Sequence, residues 1–253
     1  MTDTDRAAGG GLLLILAHPD DETFFAGGTA ARYAAAGVRV GLVCATRGQA
    51  GSAGEPPLVA RDALPGQRER ELREACAIVG IHVVALLDYH DKQLAAAPPD
   101  EIRDALVRAV RAERPRVVGT FDPNGVNGHA DHVAISRFAI DAVTAAADPR
   151  WRPELGPAHR VRRVVWSPPV VPWVEWRADA LARHRGVDYL LDIVPWRERK
   201  ARALRAHRTQ HVSVERYWFG PHSDDILSTE AFRHGWGEAP PAVPADDLFA
   251  GLD

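Results

Sequence analysis

The chain has 253 residues, 46% of them apolar and 26% charged, a composition that fits a globular protein able to bury a sizeable core. Its 31 basic and 34 acidic residues leave a net charge of −3, which excludes a strongly basic nucleic-acid footprint and a polybasic membrane anchor and favours a small-molecule partner. Only two cysteines occur, Cys44 and Cys76, among apolar neighbours and outside any C-x-x-C pair, so a disulfide framework and a zinc knuckle are excluded as well.

Short β-branched or leucine-rich runs alternate with alanine-rich segments of helical spacing. In chain order the pattern predicts strand 12–16, helix 22–36, strand 38–44, helix 67–79, strand 81–87, helix 99–113, strand 116–121, helix 130–146 and strand 161–166. Such alternation implies a doubly wound, mainly parallel α/β sheet of Rossmann-like form. Right-handed crossovers and the order 3-2-1-4-5 place the first and fourth strands side by side at the switch point. Gly48–Gly66, rich in Gly, Ala and Pro, reads as a long loop facing the crevice there. Beyond Trp166 the pattern degrades into a proline-broken loop, Ser167–Trp173, an extra strand at Asp188–Val194, an Arg-rich helix at Trp196–His207 with a solvated face, and a loosely ordered tail from about Ala239. No repeat or second domain is evident, which makes residues 1–253 a single domain. The apolar run Leu12–Ala17 is too short to span a bilayer, and the stretch before it lacks a basic region with a cleavage site. A reduced cytoplasmic setting is expected, and the oligomeric state is not readable.

Two polar clusters stand at strand ends. His18-Pro-Asp-Asp-Glu22 follows the first strand, and His129-Ala-Asp-His132 follows the fourth. Each has an ordinary explanation taken alone: Asp20, Asp21 and Glu22 would cap one helix, and Asp131 would cap another. Taken together at adjacent strand ends, they supply two histidines and a carboxylate for an open catalytic zinc site, with Asp20 free to face a water. Asp131 is placed to accept an imidazole N–H and fix its tautomer. The motifs H-E-x-x-H, G-x-S-x-G and the P-loop are missing. Gly48-x-x-Gly51-x-x-Gly54 leads into Pro56-Pro57 rather than a helix, which removes a nucleotide-binding reading. Among the seven tryptophans, mostly expected in the core, Trp173 and Trp176 are the ones placed to wall a substrate.

AHPDDE with Thr23 and Gly27-Gly28, then Thr46-x-Gly48, Arg68-x-x-Glu71-Leu72 and GHADH, together resemble the PIG-L/LmbE family of zinc-dependent N-acetylglucosamine deacetylases over roughly residues 10–145. A fainter echo is Lys200-x-x-Ala203-Leu204-x-x-His207-x-x-Gln210. The resemblance implies a Rossmann-like fold, with His18, Asp21 and His132 as ligands of zinc, Fe²⁺ or Co²⁺ being alternatives. It implies Asp20 as general base, a protonated His129 that stabilises the oxyanion or protonates the leaving amine, and Arg68 and Asp91 as contacts to the sugar. The chain departs from the family's pattern at Gln49, where Glu is frequent, and at Asn127, where mycothiol-pathway deacetylases carry a tyrosine. The activity implied is removal of an acetyl group from an N-acetylated amino sugar. The alternatives are an amidase for a larger acyl group and a non-catalytic Rossmann-like binding module.

Overall fold

The computed structural model describes residues 10–168 and 170–252. The N-terminal stretch read above for an export signal lies outside them, as do Pro169 of the proline-rich loop and the final Asp253. Seven strands form the sheet: β1 (Leu12–Leu16), β2 (Val40–Thr46), β3 (Ile81–Tyr89), β4 (Val117–Thr120), β5 (Arg163–Trp166), β6 (Tyr189–Asp192) and β7 (Thr229–Gly237). Their spatial order is β3-β2-β1-β4-β5-β7-β6. The first five are parallel in the expected 3-2-1-4-5 order, while β7 runs antiparallel to both β5 and β6. β1, Leu-Leu-Leu-Ile-Leu, is buried along its whole length, as a central strand covered on both faces must be.

The main helices are α1 (Asp21–Ala35), α2 (Leu64–Val79), α3 (Pro99–Glu113), α4 (Ala130–Ala147), α5 (Ala178–Arg183), α6 (Arg197–Ala206) and α7 (His211–Trp218). α1, α2 and α6 pack on one another, and α3 packs on α4, giving two helical layers. The long loop ends earlier than expected, at Ala63, because Pro65 sits in the first turn of α2, where its missing N–H costs nothing.

Three expectations need correction. Strand β7 has no counterpart in the elements read from the sequence, and its Gly235 and the glycine that ends it account for the weak strand pattern. α6 is not simply a solvated cationic face, since Lys200, Ala201, Ala203, Leu204 and Ala206 are buried. The tail is not loose: Leu248, Phe249 and Leu252 join the core, and the fully buried Arg163 donates to the carbonyls of Glu238 (2.7 Å), Leu248 (2.6 Å) and Ala250 (2.9 Å). Tyr33 of α1 adds two further bonds, donating to Asp247 and accepting from the Leu248 N–H.

α1 is kinked at Ala26 (φ −147°, ψ 23°), which exposes the N–H groups of a second helix start. Glu230 of β7 receives them, accepting from Gly28 N (2.8 Å) and Thr29 N (2.7 Å), and Lys200 of α6 neutralises it at 2.6 Å. Gly28 is required here, because any Cβ would lie 2.4 Å from a methyl of Ile193. The C-terminal strands and α6 are thereby locked to the helix that opens at Asp21. Replacing Arg163 with Leu strands three carbonyls and should cost about 3 kcal/mol or more. The check is a lower urea midpoint with earlier hydrogen exchange in residues 238–252; an unchanged midpoint would show that the tail is held by its apolar contacts alone.

Candidate active site

The carboxyl ends of β1 and β4 lie side by side; His18 stands two residues after β1, and His129 follows β4 across the short helical turn Gly125–Gly128. After β1 the backbone turns through Asp20 at φ 112°, a conformation that a residue with a side chain rarely adopts. Glu22 holds that turn. Its Oε2 accepts the Asp20 N–H at 3.0 Å, and its Oε1 is 2.8 Å from His207 Nε2 and accepts the Thr23 hydroxyl at 2.5 Å. Burial opposes charge on His207, but Glu22 outweighs it and raises the imidazole pKa. Glu71 fixes the residues next to His207 by accepting the Thr209 N–H and hydroxyl.

Helix capping does not explain either cluster. Asp20 makes no side-chain cap at the start of α1. At α4 the cap is His129, whose Nδ1 accepts the Asp131 N–H at 3.2 Å. The Asp131 carboxylate points elsewhere, to His18 Nε2 (3.1 Å) and to the N–H groups of Lys92 (2.6 Å) and Leu94 (3.1 Å).

The hydrogen bonds decide which imidazole nitrogens carry lone pairs. His18 Nε2 lies between Asp131 (3.1 Å) and Asp91 (3.3 Å) and therefore carries a proton, leaving Nδ1 bare in the neutral ring. His132 Nδ1 faces the Gly125 carbonyl at 3.2 Å, which can only accept, leaving Nε2 bare. Those two bare nitrogens face each other at 3.3 Å. Asp21 closes the figure, with Oδ2 3.4 Å from His18 Nδ1 and Oδ1 3.4 Å from His132 Nε2. Ligands at about 2.0–2.1 Å in a tetrahedron lie about 3.3–3.4 Å from one another, so the two nitrogens match two positions of a four-coordinate metal site, and the Asp21 carboxylate, with a different oxygen facing each nitrogen, completes a donor triangle. In the neutral rings these electron pairs repel unless a cation or a proton lies between them.

The electrostatics follow. Burial opposes charge on His18, yet Asp131, Asp21 and Asp91 together raise its pKa well above the ordinary value. Burial pushes Asp21 up, but His132 and His18 outweigh it and hold the carboxyl far below its usual range. For Asp91 the same contest, won by His18, ends at about 2. Asp20 goes the other way: burial raises it to about 6 against the pull of Arg68. Burial, then His18 and His132, lower the pKa of His129. With Nδ1 accepting a backbone N–H, His129 is a neutral ring whose proton sits on Nε2, and not the imidazolium expected above.

Arg68 and Asp91 both line the cavity but are engaged with the protein. Arg68 donates to Asp20 Oδ2 (3.1 Å), to Gly48 O (2.9 Å) and to Pro19 O, and Asp91 accepts from Ala50 N (3.0 Å) while facing His18. They steady the two clusters. Two groups that sequence reasoning gave no part in the site are Glu22 and Asp122. Asp122 accepts from Val126 N (2.7 Å) and Asn124 N (3.0 Å), holding Val126 at φ 64° in the turn whose Gly125 carbonyl orients His132. A β-branched residue at that angle is strained and persists only because its surroundings impose it. The acidic residue two positions after β4, ahead of Pro-Asn-Gly, is the signal that could have pointed to it. Gln49 turns away from the cavity, its amide donating to the Tyr89 carbonyl at 3.3 Å.

The donor triangle opens on a cavity of about 620 Å³. One part of its wall carries Asp20, Arg68, Asp91, Asn127 and His129, another the mutually packed Phe24, Trp173, Trp176 and Tyr217, and residues 50–52 of the long loop also line it. Cys44 and Cys76 are buried, free thiols.

A family model described as PIG-L, GlcNAc-PI de-N-acetylase, matches residues 13–143, the segment that carries both clusters. The chain belongs to the PIG-L family. A 1D-myo-inositol 2-acetamido-2-deoxy-alpha-D-glucopyranoside deacetylase of Geodermatophilus obscurus is 38% identical over a match covering 55% of this chain and 55% of that protein. The chain thus matches about half the length of such relatives. The crystal structure of the conserved protein TT1542 from Thermus thermophilus is 29% identical with a TM-score of 0.70, covering 94% of this chain and all (100%) of that one. Two structures share the fold at lower identity. N,N'-diacetylchitobiose deacetylase from Pyrococcus horikoshii has 23% identity, a TM-score of 0.69 and coverage of 91% and 86%. GalB, a 4-carboxy-2-hydroxymuconate hydratase from Pseudomonas putida, has 19%, 0.66, and 92% and 99%. The fold therefore hosts different reactions, and the site has to decide between them. Among the described residues no helix is long and apolar enough to cross a membrane.

Because Asp131 orients His18 from behind, Asp131→Asn should weaken divalent-cation affinity about 10–100-fold. Competition with a chelating dye measures it, and wild-type affinity in the variant would remove Asp131 from the site.

Proposed function

We propose that this PIG-L protein is a zinc-dependent hydrolase that removes the acetyl group from an N-acetylated amino sugar in glycosidic linkage. The observation that carries this reading is the convergence of His18 Nδ1 and His132 Nε2, 3.3 Å apart, with the Asp21 carboxylate, one oxygen 3.4 Å from each nitrogen, on a cavity that Asp20 also lines. The 38% identical relative, named for an inositol-linked acetamido sugar, supports the substrate class.

His18, Asp21 and His132 would hold the ion, and their mixed imidazole and carboxylate set suits zinc while admitting Fe²⁺ or Co²⁺. A cation there supplies a Lewis acid and lowers the pKa of a water to about 7. The chain's own groups do the rest. Asp20 takes the proton of the attacking water, and the burial that lifts its pKa to about 6 lets it keep that proton and return it to the departing nitrogen. His129, neutral with its proton on Nε2, donates a hydrogen bond to the amide oxygen as charge develops there, a contribution typically about 3–4 kcal/mol. Arg68 ties Asp20 to the backbone of both neighbouring loops, and Glu22 keeps its strained turn in place.

Two variants separate base from ligand. Asp20→Asn should keep stoichiometric metal and lose turnover of N-acetylglucosaminides by about 10²-fold or more, whereas His132→Ala should lose the metal first. Metal content and acetate release must be measured on the same samples. A wild-type protein that binds no stoichiometric divalent ion and releases no acid from any acylated amino sugar would leave only the binding-module reading, and release of a larger acid alone would favour the amidase. Acid pH gives an independent test. Asp20 must be ionised to act, so kcat/KM is full above its pKa and falls as pH drops through it. A neighbouring cation favours the ionised form, which places that limb at or below about pH 6. A limb well above neutral pH would exclude Asp20 as the base.

A further inference from the structure

The cavity is more than a seat for one acetylated sugar. At about 620 Å³ it lies within the roughly 300–1,000 Å³ range of pockets that enclose drug-sized ligands, and a lone pyranose with its acetamide does not fill it. Its two walls differ in chemistry. Besides the ionisable cluster, the lining includes Phe24, Trp173, Trp176, Tyr217 and Ile226, which belong to one apolar cluster.

That face is prebuilt. Trp173 stacks on Tyr217, with centroids 4.7 Å apart and planes at 29°, and meets the fully buried Trp218 edge-on at 5.9 Å. Trp218 in turn meets Phe24 at 5.4 Å, and Phe24 lies on α1, one turn beyond Asp20. Trp176 stacks on His222 at 4.2 Å. These rings pack against a second core cluster that includes Leu204, Val214 and Ile226, so the wall is held in place rather than left to form around a ligand. Rigid aromatic rings lose little entropy when they contact a ligand.

The polar groups on this side are occupied. Glu230 carries Lys200 and two backbone N–H groups, and Glu175 is paired with Arg177. The amide N–H groups of Gln210 go to Ser52 O and Thr209 Oγ1, and the Ser167 hydroxyl is engaged with Asp122. Ser213 and Thr229 add hydroxyls only. A polyol or a second sugar placed here would leave most of its hydroxyls without partners, at a cost for each one desolvated.

Resting on the deacetylase reading, we propose that the natural substrate carries a bulky apolar aglycone, aromatic or alkyl, which packs against Trp173, Trp176 and Tyr217 while the acetamido sugar faces the donor triangle. The preferred substrate then differs in its linked group from the inositol glycoside in the name of the 38% identical relative.

The test uses the metal-loaded protein and N-acetylglucosaminides with methyl, phenyl, octyl and inositol aglycones. The octyl and phenyl glycosides should exceed the methyl and inositol glycosides in kcat/KM by about ten-fold or more, mainly through KM, from the apolar area buried. Trp173→Ala should lower the octyl-to-methyl ratio several-fold, and Trp173→Phe should restore most of it. Equal kcat/KM across the series, or a preference for inositol, overturns the inference while leaving deacetylation intact. Should no glycoside be hydrolysed, deacetylation fails, and calorimetric affinity decides the aglycone separately: octyl tighter than methyl supports the apolar wall, equal binding overturns it. If Trp173→Ala does not fold, the wild-type series with Trp173→Phe still gives the comparison.

Discussion

His18 Nδ1 and His132 Nε2 face each other at 3.3 Å, with an Asp21 oxygen 3.4 Å from each. Bare electron pairs at that distance repel, so a positive charge belongs between them, either a cation or the extra proton that the carboxylates around His18 favour. What imposes it is the set of contacts behind the rings: Asp131 and Asp91 fix the proton of His18 on the far nitrogen, and the Gly125 carbonyl does the same for His132. Phe121 stacks flat on the His132 ring at 3.9 Å and sets its plane. The chemistry available to this protein depends on that orientation, because the same side chains with either ring turned over would present an N–H to the shared point and repel a cation.

The cost of the arrangement is visible in the backbone. Asp20 and Val126 take left-handed angles on the two loops that meet at the site, and each is held by a buried carboxylate, Glu22 for one and Asp122 for the other. Strain of this kind is of order 1–3 kcal/mol per residue and survives only where the surroundings over-determine it. Glu22 is itself braced by His207, from beyond the parallel core, and α1 by the Lys200–Glu230 pair. The C-terminal third of the chain is thus a support for a site whose proposed ligands all come from the first 132 residues, and it also supplies all of the aromatic wall but Phe24.

Separating the two walls of the cavity separates two tasks. The ionisable wall is built from residues whose pKa values are pushed apart, Asp20 upward by burial and Asp91 downward by His18, which is how one pocket keeps one acid group protonatable and its neighbour charged. The apolar wall contains rings locked to one another and to a small core, so it can select by shape without moving.

The parallel core and its order were legible in the sequence, since β1 is apolar throughout, its neighbours alternate with helical segments, and right-handed crossovers leave few ways to wind them. The two polar clusters were legible as well, because each lies on the connection that leaves a strand whose end falls at the switch point. Strand β7 was not, since its glycine-containing run has no clear period, and neither was the ordered tail, whose anchors Arg163 and Tyr33 lie far from it in sequence. Which nitrogen of each histidine is bare, that His129 is neutral, and that Arg68 and Asp91 serve neighbouring side chains could be decided only by the tertiary structure. Those properties belong to pairs such as His18 with Asp131, 113 residues apart, and spacing along a chain carries no information about which atom of a ring meets which oxygen.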